Sequence, residues 1–470
     1  MLRSSCVFTS ALALLSFTVL AQNPRSNPTQ TITQDPNDWP MYNHDVVGTR
    51  FNPAEATLTP ESVRGLKIKW IFPTAGDVFA TPSVVSGIVY AGDTSGSFYA
   101  LTISGALLWK TKVNGPITDS ALLTNGPGGT DGMVIFGDQA GYIYALKRST
   151  GDLVWSVHPN PNATAAIFGS PILANGQVVI GISSNEGKAK GTFRGSVVSL
   201  DPDNKGKVNW QTYLITEDEQ KSGASGAGVW STPTYDAESD IVYVTTGNNY
   251  ANPATTTSDA FVALNGSSGK IVWTQQFVKD DTGTVEADIG DSPQVYTLLD
   301  GEKVVGAGEK ETGVYSVLDA ADGRLVRSIQ AVPSCAGSEG LFADSAISNG
   351  VVFVNGVNCD IPSKSPLIPP TGAVVALKSD ASKKLWNFTS FFAPVLSGVA
   401  VANGVVYFHA SGIFSVLYAL DANTGQMLAG VLTSGAISGP SVSHGQIYVG
   451  TGTKFASGVP TPSGIVAIGL

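Results

Sequence analysis

The sequence predicts an all-β fold, an eight-bladed β-propeller, on three observations. One phrase repeats along the chain, a tryptophan occupies a fixed slot in it, and the two ends are incomplete in complementary ways. The phrase runs from a small residue or Pro through an apolar stretch, Gly-x-Val-Tyr-x-Gly, a polar turn, Gly-x-Val-Tyr-Ala-Leu, a second turn and Gly-x-x-x-Trp. Its clearest copy is Thr81-Pro82-Ser83, Gly87-Ile88-Val89-Tyr90-Ala91-Gly92, Gly96-Ser97-Phe98-Tyr99-Ala100-Leu101 and Gly105-Ala106-Leu107-Leu108-Trp109. Repeats of about 40–50 residues with period-two apolar alternation describe units of four short antiparallel strands. A single unit cannot bury both faces of its sheet, so the units stack around an axis.

Copies begin near Thr81, Asp119, Gly169, Ser231, Gly290, Ala343, Ser397 and Ser438, which gives eight, with seven as the rival count. Six of the eight tryptophans fill the terminal slot: Trp70, Trp109, Trp155, Trp210, Trp273 and Trp386. Arg327 and Ala429 stand there in the fifth and seventh copies. Gly105, Gly151, Gly206 and Gly269 precede their tryptophans by four, and Gly323 precedes Arg327 by the same distance. An aromatic ring at a constant place between sheets buries roughly 200 Å² per blade and serves as an inter-blade wedge. The chain ends on a third-strand phrase, Gly464-Ile465-Val466-Ala467-Ile468, while Leu66-Lys67-Ile68-Lys69-Trp70 is a fourth strand with no blade before it. Pairing the two completes the eighth blade and removes two open edges.

Composition limits what such a ring can do. Of 470 residues 14% are charged, 43% are hydrophobic and 53 are Gly, which excludes a disordered chain and suits tightly turned sheets. A net charge of −10 without Lys/Arg clusters argues against nucleic acid as a partner. Residues 1–21 read as a cleaved secretory signal, with Arg3, an apolar core from Ala11 to Leu20, and Ala21 before Gln22. Residues 22–37 are expected to be a flexible leader, and 38–470 a single propeller domain in a secreted or periplasmic protein without a membrane span. No Cys-x-x-Cys-His is present for covalent haem.

Insertions mark the functional face. The turn between the second and third strands is short in the first copy (Asp93 to Ser95) and long in the third (Ser183 to Arg194), fourth (Asn248 to Asp259) and sixth (Asn358 to Thr371). These turns emerge on one face of a propeller, where they wall the central opening. Lys310 and Arg194 are notable among only 27 basic residues because they lie on such turns.

The opening Asp38-Trp39-Pro40-Met41-Tyr42-Asn43-His44-Asp45, with Thr49-Arg50-Phe51-Asn52-Pro53 and Val63-Arg64-Gly65-Leu66-Lys67-Ile68-Lys69-Trp70, resembles the start of the quinoprotein alcohol dehydrogenases. The likeness is to their polyvinyl-alcohol-dehydrogenase-like branch, and it covers essentially the whole mature chain. It implies an eight-bladed propeller holding pyrroloquinoline quinone (PQQ) and Ca²⁺. Three segments match at the family's cofactor positions. Gly181-Ile182-Ser183-Ser184-Asn185-Glu186, with Phe193-Arg194-Gly195, implies Glu186 as a calcium ligand. Gly228-Val229-Trp230-Ser231-Thr232-Pro233, with Val242 to Asn248, implies Trp230 flat against the quinone and Asn248 on calcium. Gly308-Glu309-Lys310-Glu311-Thr312-Gly313 implies Lys310 at the quinone oxygens.

The residue types suit those roles, since calcium takes oxygen ligands and a planar acid takes an aromatic platform with cations, for which Arg194 joins Lys310 as a cofactor-binding candidate. Taken singly, each also fits a bland role: Asn248 follows Gly247 as a turn residue, Glu186 sits on a solvated loop, and Trp230 packs under its own insertion.

Two departures stand out. Where the family has a catalytic Asp, this chain reads Glu286-Ala287-Asp288-Ile289-Gly290, so Glu286 aligns with the base and near the metal, and Asp288 is the reserve. The adjacent Cys-Cys pair of some members is absent. The resemblance thus implies a secreted PQQ- and Ca-dependent dehydrogenase acting on a polymeric or secondary alcohol. Electrons would pass to a separate acceptor such as a cytochrome c. The alternative is a non-catalytic quinoprotein-like propeller serving as a binding or assembly scaffold.

Once Cys6 leaves with the signal, Cys335 and Cys359 remain, and in an oxidising compartment they are expected to be bonded to each other. Non-reducing peptide mapping of the secreted protein should return one linked peptide pair; two alkylatable thiols in the native protein would overturn the bond.

Overall fold

Period-two alternation in short runs, broken by Gly-containing turns, leaves the chain one way to bury its apolar faces. In the computed structural model eight antiparallel sheets are arranged as a propeller. The structure describes residues 31–32, 35–126, 131–185, 191–283, 287–334, 340–358, 371–391, 393–412, 415–452 and 461–470. Cys335, Cys359, Glu186, Glu286 and the expected signal at 1–21 lie outside the described residues.

Blade 1 is Ser83–Val85, Ile88–Gly92, Ser97–Thr102 and Leu107–Lys112, in hydrogen-bonded order from axis to rim. Blades 2 to 7 start at Leu122, Ile172, Thr234, Gln294, Ala346 and Ala400, each within six residues of its predicted copy start. Blade 8 is Ser441–Ser443, Gln446–Thr451 and Gly464–Gly469, completed by the early strand Lys67–Pro73. That strand pairs antiparallel with the last one, Ile68 opposite Ile468 and Trp70 opposite Ala467, so the ring closes as the incomplete ends require.

The Gly-x-x-x-Trp phrase has a cross-blade meaning. Each slot tryptophan packs on the glycine of the following copy: Trp70 on Gly105, Trp109 on Gly151, Trp155 on Gly206, Trp210 on Gly269, Trp273 on Gly323 and Trp386 on Gly425. A Cβ at these six glycines would come within 2.9 Å of the indole, and all six have positive φ. Each indole Nε1 also donates to a backbone carbonyl of that next blade, Trp155 to Pro202 at 3.0 Å for example. The exception obeys the same rule: the copy after Arg327 carries Ser382 in place of Gly.

A strap from Trp39 to Asn52 runs round the axis and bonds to the inner strand of one blade after another. Trp39 pairs with Val84 in blade 1, and the Pro40 carbonyl accepts from Leu123 in blade 2. The carbonyls of Val46, Val47, Thr49 and Arg50 accept from Tyr235, Val295, Ile347 and Val401 of blades 4 to 7 at 2.7–2.9 Å. The Asn52 amide donates to Val442 of blade 8 at 2.8 Å. Within the stretch expected to be a leader, Thr31–Ile32 adds a short strand beside Leu122–Asn125, and Asn37 accepts from Ser443.

Gly206→Ala should therefore lose more stability than Gly87→Ala. Both positions have φ near +70°, but Gly87 has open space around it whereas a Cβ at Gly206 would lie 2.8 Å from Trp155. Backbone strain alone costs about 1–3 kcal/mol, and Gly206→Ala should exceed Gly87→Ala by a further 1 kcal/mol or so in urea unfolding. Equal losses would show that the Trp–Gly contact contributes nothing.

Candidate functional site

The residue three positions before the usual Pro of each inner strand points to the axis. In blade order these are Phe79, Thr118, Phe168, Trp230, Gly290, Ala343, Leu396 and Ile437, and all of them line one axial cavity of ≈ 340 Å³. Tyr42 of the strap and Asp344 also line it. The small members, Gly290 and Ala343, leave room that the largest member takes. A Cβ on Gly290 would lie 2.2 Å from the Trp230 ring, and one on Gly247 would lie 3.2 Å from its Nε1. Phe342 steadies the indole from one side, with centroids 6.0 Å apart and planes tilted by 36°.

Trp230, Phe168 and Phe342 also line a second cavity of ≈ 240 Å³. Its other walls are Ser183 and Ser184 from the end of the second strand of blade 3, Gly228, Gly247, Asn248 and Tyr250 from blade 4, and Asp288 and Lys310 from blade 5. Four residues singled out in the sequence, Trp230, Asn248, Asp288 and Lys310, thus meet around one space. The Asp288 carboxylate is held from two sides: Oδ1 accepts the Asn248 backbone N–H at 2.8 Å, and Oδ2 lies 3.7 Å from the Lys310 ammonium. The Asn248 side-chain amide donates to the Asn249 carbonyl at 3.0 Å, which fixes its orientation and turns Oδ1 into its remaining acceptor.

Arg194 is not brought to this cavity. Its guanidinium donates to the Ile215 carbonyl at 3.2 Å and lies over the Tyr213 ring, 4.1 Å from the centroid, where it supports the long turn of blade 3. Sequence reasoning passed over Phe168, Phe342, Tyr250 and Asp259. For Phe168 a signal was available, its place three residues before Pro171; Phe342 lies beside that place, next to Ala343.

Asp259 has no such signal. It is wholly buried behind Gly247, to whose carbonyl its N–H donates, and neither carboxylate oxygen has a hydrogen-bond partner among the described residues. Burial, and then the carboxylates of Asp288 and Asp281, push its acid up to about 9. An oxygen-only donor set with an orphaned buried carboxyl group behind it suits a hard divalent cation such as Ca²⁺. The bare Trp230 face beside Lys310 suits a planar anion.

Comparisons with known proteins agree with the ring. A family model for PQQ-type repeats, described as outer membrane protein assembly factor BamB, matches residues 57–260 and 222–459. A polyvinylalcohol dehydrogenase of Pseudomonas sp. is 27% identical over 89% of this chain and 73% of its own length. The dehydrogenase subunit of the quinone-linked alcohol dehydrogenase of Gluconobacter oxydans is 29% identical over 62% of this chain and 44% of its own. The quinohemoprotein alcohol dehydrogenase of Comamonas testosteroni superposes with a TM-score of 0.76 at 19% identity, covering 92% of this chain and 80% of its own, a likeness of fold.

Asp259 yields a pH-dependent expectation. Its acid titrates in the fold near 9 and in the unfolded chain near its usual value, so the folded state holds the extra proton between about pH 4 and 9. Stability from this group is therefore greatest in acid and falls as the pH rises through that window. Asp259→Asn, neutral at every pH, should stabilise the metal-free protein at pH 8 by on the order of a few kcal/mol, the gain shrinking to nothing near pH 4. Parallel urea midpoints for variant and wild type across that range would refute the burial of an unpaired acid.

Proposed function

Since this chain belongs to the PQQ-repeat propeller family and is similar to polyvinylalcohol dehydrogenases, we propose that it is an exported, PQQ- and Ca²⁺-dependent alcohol dehydrogenase. It oxidises a secondary or polymeric alcohol and passes electrons to a separate acceptor. One observation carries the reading: Trp230, Asn248, Asp288 and Lys310, distant in sequence, surround one cavity. Among the described residues no helix is long and apolar enough to cross a membrane.

Bound there, PQQ with Ca²⁺ would supply the two-electron acceptor that no side chain of this chain provides. Trp230 gives the platform, and Gly247 and Gly290 keep the indole's surroundings open. Lys310 offers its charge to the acid groups and carbonyls of the cofactor. Asn248 offers Oδ1 to the metal, with Glu186 as the second protein ligand. The alcohol hydroxyl proton goes to a carboxylate before the fifth blade, Glu286 by alignment or Asp288 by its place at the cavity. Asp288 is already oriented by Asn248 and Lys310. Phe168 and Phe342 keep bulk water from the reacting face.

Apo-protein mixed with PQQ and Ca²⁺ should retain quinone absorbance through gel filtration, lose tryptophan fluorescence and melt higher. Lys310→Ala should weaken retention. Failure to retain PQQ would favour a scaffold of the assembly-factor kind. Glu286→Gln should lower turnover roughly 10²–10⁴-fold while PQQ stays bound. If Glu286→Gln remains active and Asp288→Asn is dead, Asp288 is the base.

A further inference from the structure

The strap that runs round the hub begins at a cluster unrelated to the cofactor cavity. We infer that Asp35, Asp38 and His444 form a divalent-cation site of the zinc type, which ties the start of the strap to blade 8. One ligand atom from each lies within 4.8 Å of the others, and His444 Nε2 stands 3.1 Å from Asp38 Oδ1. Two ligands bound about 2.0–2.1 Å from a tetrahedral zinc ion lie roughly 3.4 Å apart, so the three side chains need little movement to close on one ion.

The internal repeat shows that His444 departs from the turn's usual chemistry. It sits in the hairpin between the first two strands of blade 8, with φ of 51° followed by Gly445 at 74°. Blades 1, 3, 6 and 7 turn at the same place with Ser86-Gly87, Asn175-Gly176, Asn349-Gly350 and Asn403-Gly404, again with both φ positive. Asn-Gly is the pair such a turn favours. Blade 8 replaces it with a side chain that suits the turn less well but carries a metal-binding nitrogen, and that nitrogen meets Asp38.

The other side of the cluster is equally fixed. Asp38 is 1% exposed, and its Oδ1 also accepts the Ser86 N–H at 3.0 Å. The Asp38 N–H donates to the Asp35 carbonyl at 3.1 Å, so a single turn brings the two carboxylates together. Asn37, between them, accepts from Ser443 and from the His444 N–H. The backbone thus holds the three ligands in place before any ion arrives. One imidazole and two carboxylates, with a position left for water, suit zinc better than calcium or magnesium, which prefer oxygen alone.

The test uses the mature protein without an affinity tag, saturated with PQQ and Ca²⁺, and titrated with zinc chloride by calorimetry and thermal melting. One zinc ion per chain should bind, and a hundredfold excess over Kd should raise Tm by about 3 °C. His444→Asn installs the residue that blades 3, 6 and 7 use, so it should keep the zinc-free Tm and bind zinc roughly tenfold or more weakly. Asp35→Asn, at an exposed position, should weaken zinc to a similar degree. Absence of stoichiometric zinc binding, or zinc bound with wild-type affinity by either variant, would overturn the site. PQQ retention is unaffected in every one of these outcomes, which separates this inference from the reading of the cofactor cavity.

Discussion

A ring of blades stands or falls on what holds its inner strands together, and here that is a hoop of short polar links around the axis. The Ser83 hydroxyl donates to the Ala121 carbonyl, tying blade 1 to blade 2. Backbone N–H groups of Ser120, Ser170, Thr232 and Ser292 then reach Ser170, Thr232, Ser292 and Asp344 in the next blade round. The Val399 N–H donates to the Asp344 carbonyl, and the Ser438 hydroxyl donates to the Ala80 carbonyl across the closing junction. Between blades 7 and 8 the strap contributes Arg50, wholly buried, whose guanidinium donates to the carbonyls of Val399 and Pro440. Gly398 and Gly439 make room for it, since a Cβ on either would lie 2.5–3.1 Å from the guanidinium. Inner strands cannot satisfy every backbone group within their own sheets, and a buried N–H or C=O left unpaired is costly. The hoop and the strap supply the missing partners and set the radius of the hub.

That radius decides the chemistry available at the centre. Eight residues, one per blade, converge on a space too small for eight large side chains. Trp230 can lie there because its neighbours in blades 5 and 6 are Gly290 and Ala343. The indole divides the hub cavity from the one walled by Asn248, Asp288 and Lys310, and three acids, Asp259, Asp281 and Asp288, gather on the side of the latter. Repulsion among Asp259, Asp281 and Asp288 is tolerable in the metal-free protein because burial keeps Asp259 protonated. A divalent cation would relieve the same repulsion, and so acid content and cation affinity are two views of one electrostatic arrangement.

The ring was legible in the sequence because its signals are local and repeated eight times. Period-two runs, the tryptophan slot and the unpaired early strand each need only neighbours in the chain to be recognised. The pairing of glycine with tryptophan is a different matter. Both occur in one phrase, yet the glycine serves the tryptophan of the preceding copy, and only the absence of Gly at Ser382 after Arg327 betrays it. In the site, Trp230, Asn248, Asp288 and Lys310 were legible through the motifs around them. Arg194 was misplaced because a cation on an insertion turn reads the same whether it faces a cofactor or props the turn. Asp259 was invisible, since an unpaired buried acid is defined by what surrounds it in space. The strap has no period at all, because successive residues bond to different blades.

The lock of the ring and the floor of the cavity are therefore the same segment. Tyr42 of the strap lines the axial cavity together with Trp230 and Asp344 and gives its carbonyl to Arg50 at 2.7 Å. Asp344 in turn takes part in the hoop, and with burial it pushes the neighbouring acid Asp291 up from its ordinary value. A loss at Arg50 would loosen blades 7 and 8, free Tyr42 and disturb the two acids at once. Function in this fold is not a loop graft on an indifferent scaffold. Of the side chains that could hold a cofactor, Trp230 and Asp288 precede inner strands and Asn248 and Lys310 follow second strands; those strands are placed by the closure of the ring, and the closure is fixed by a strap that the repeat does not encode.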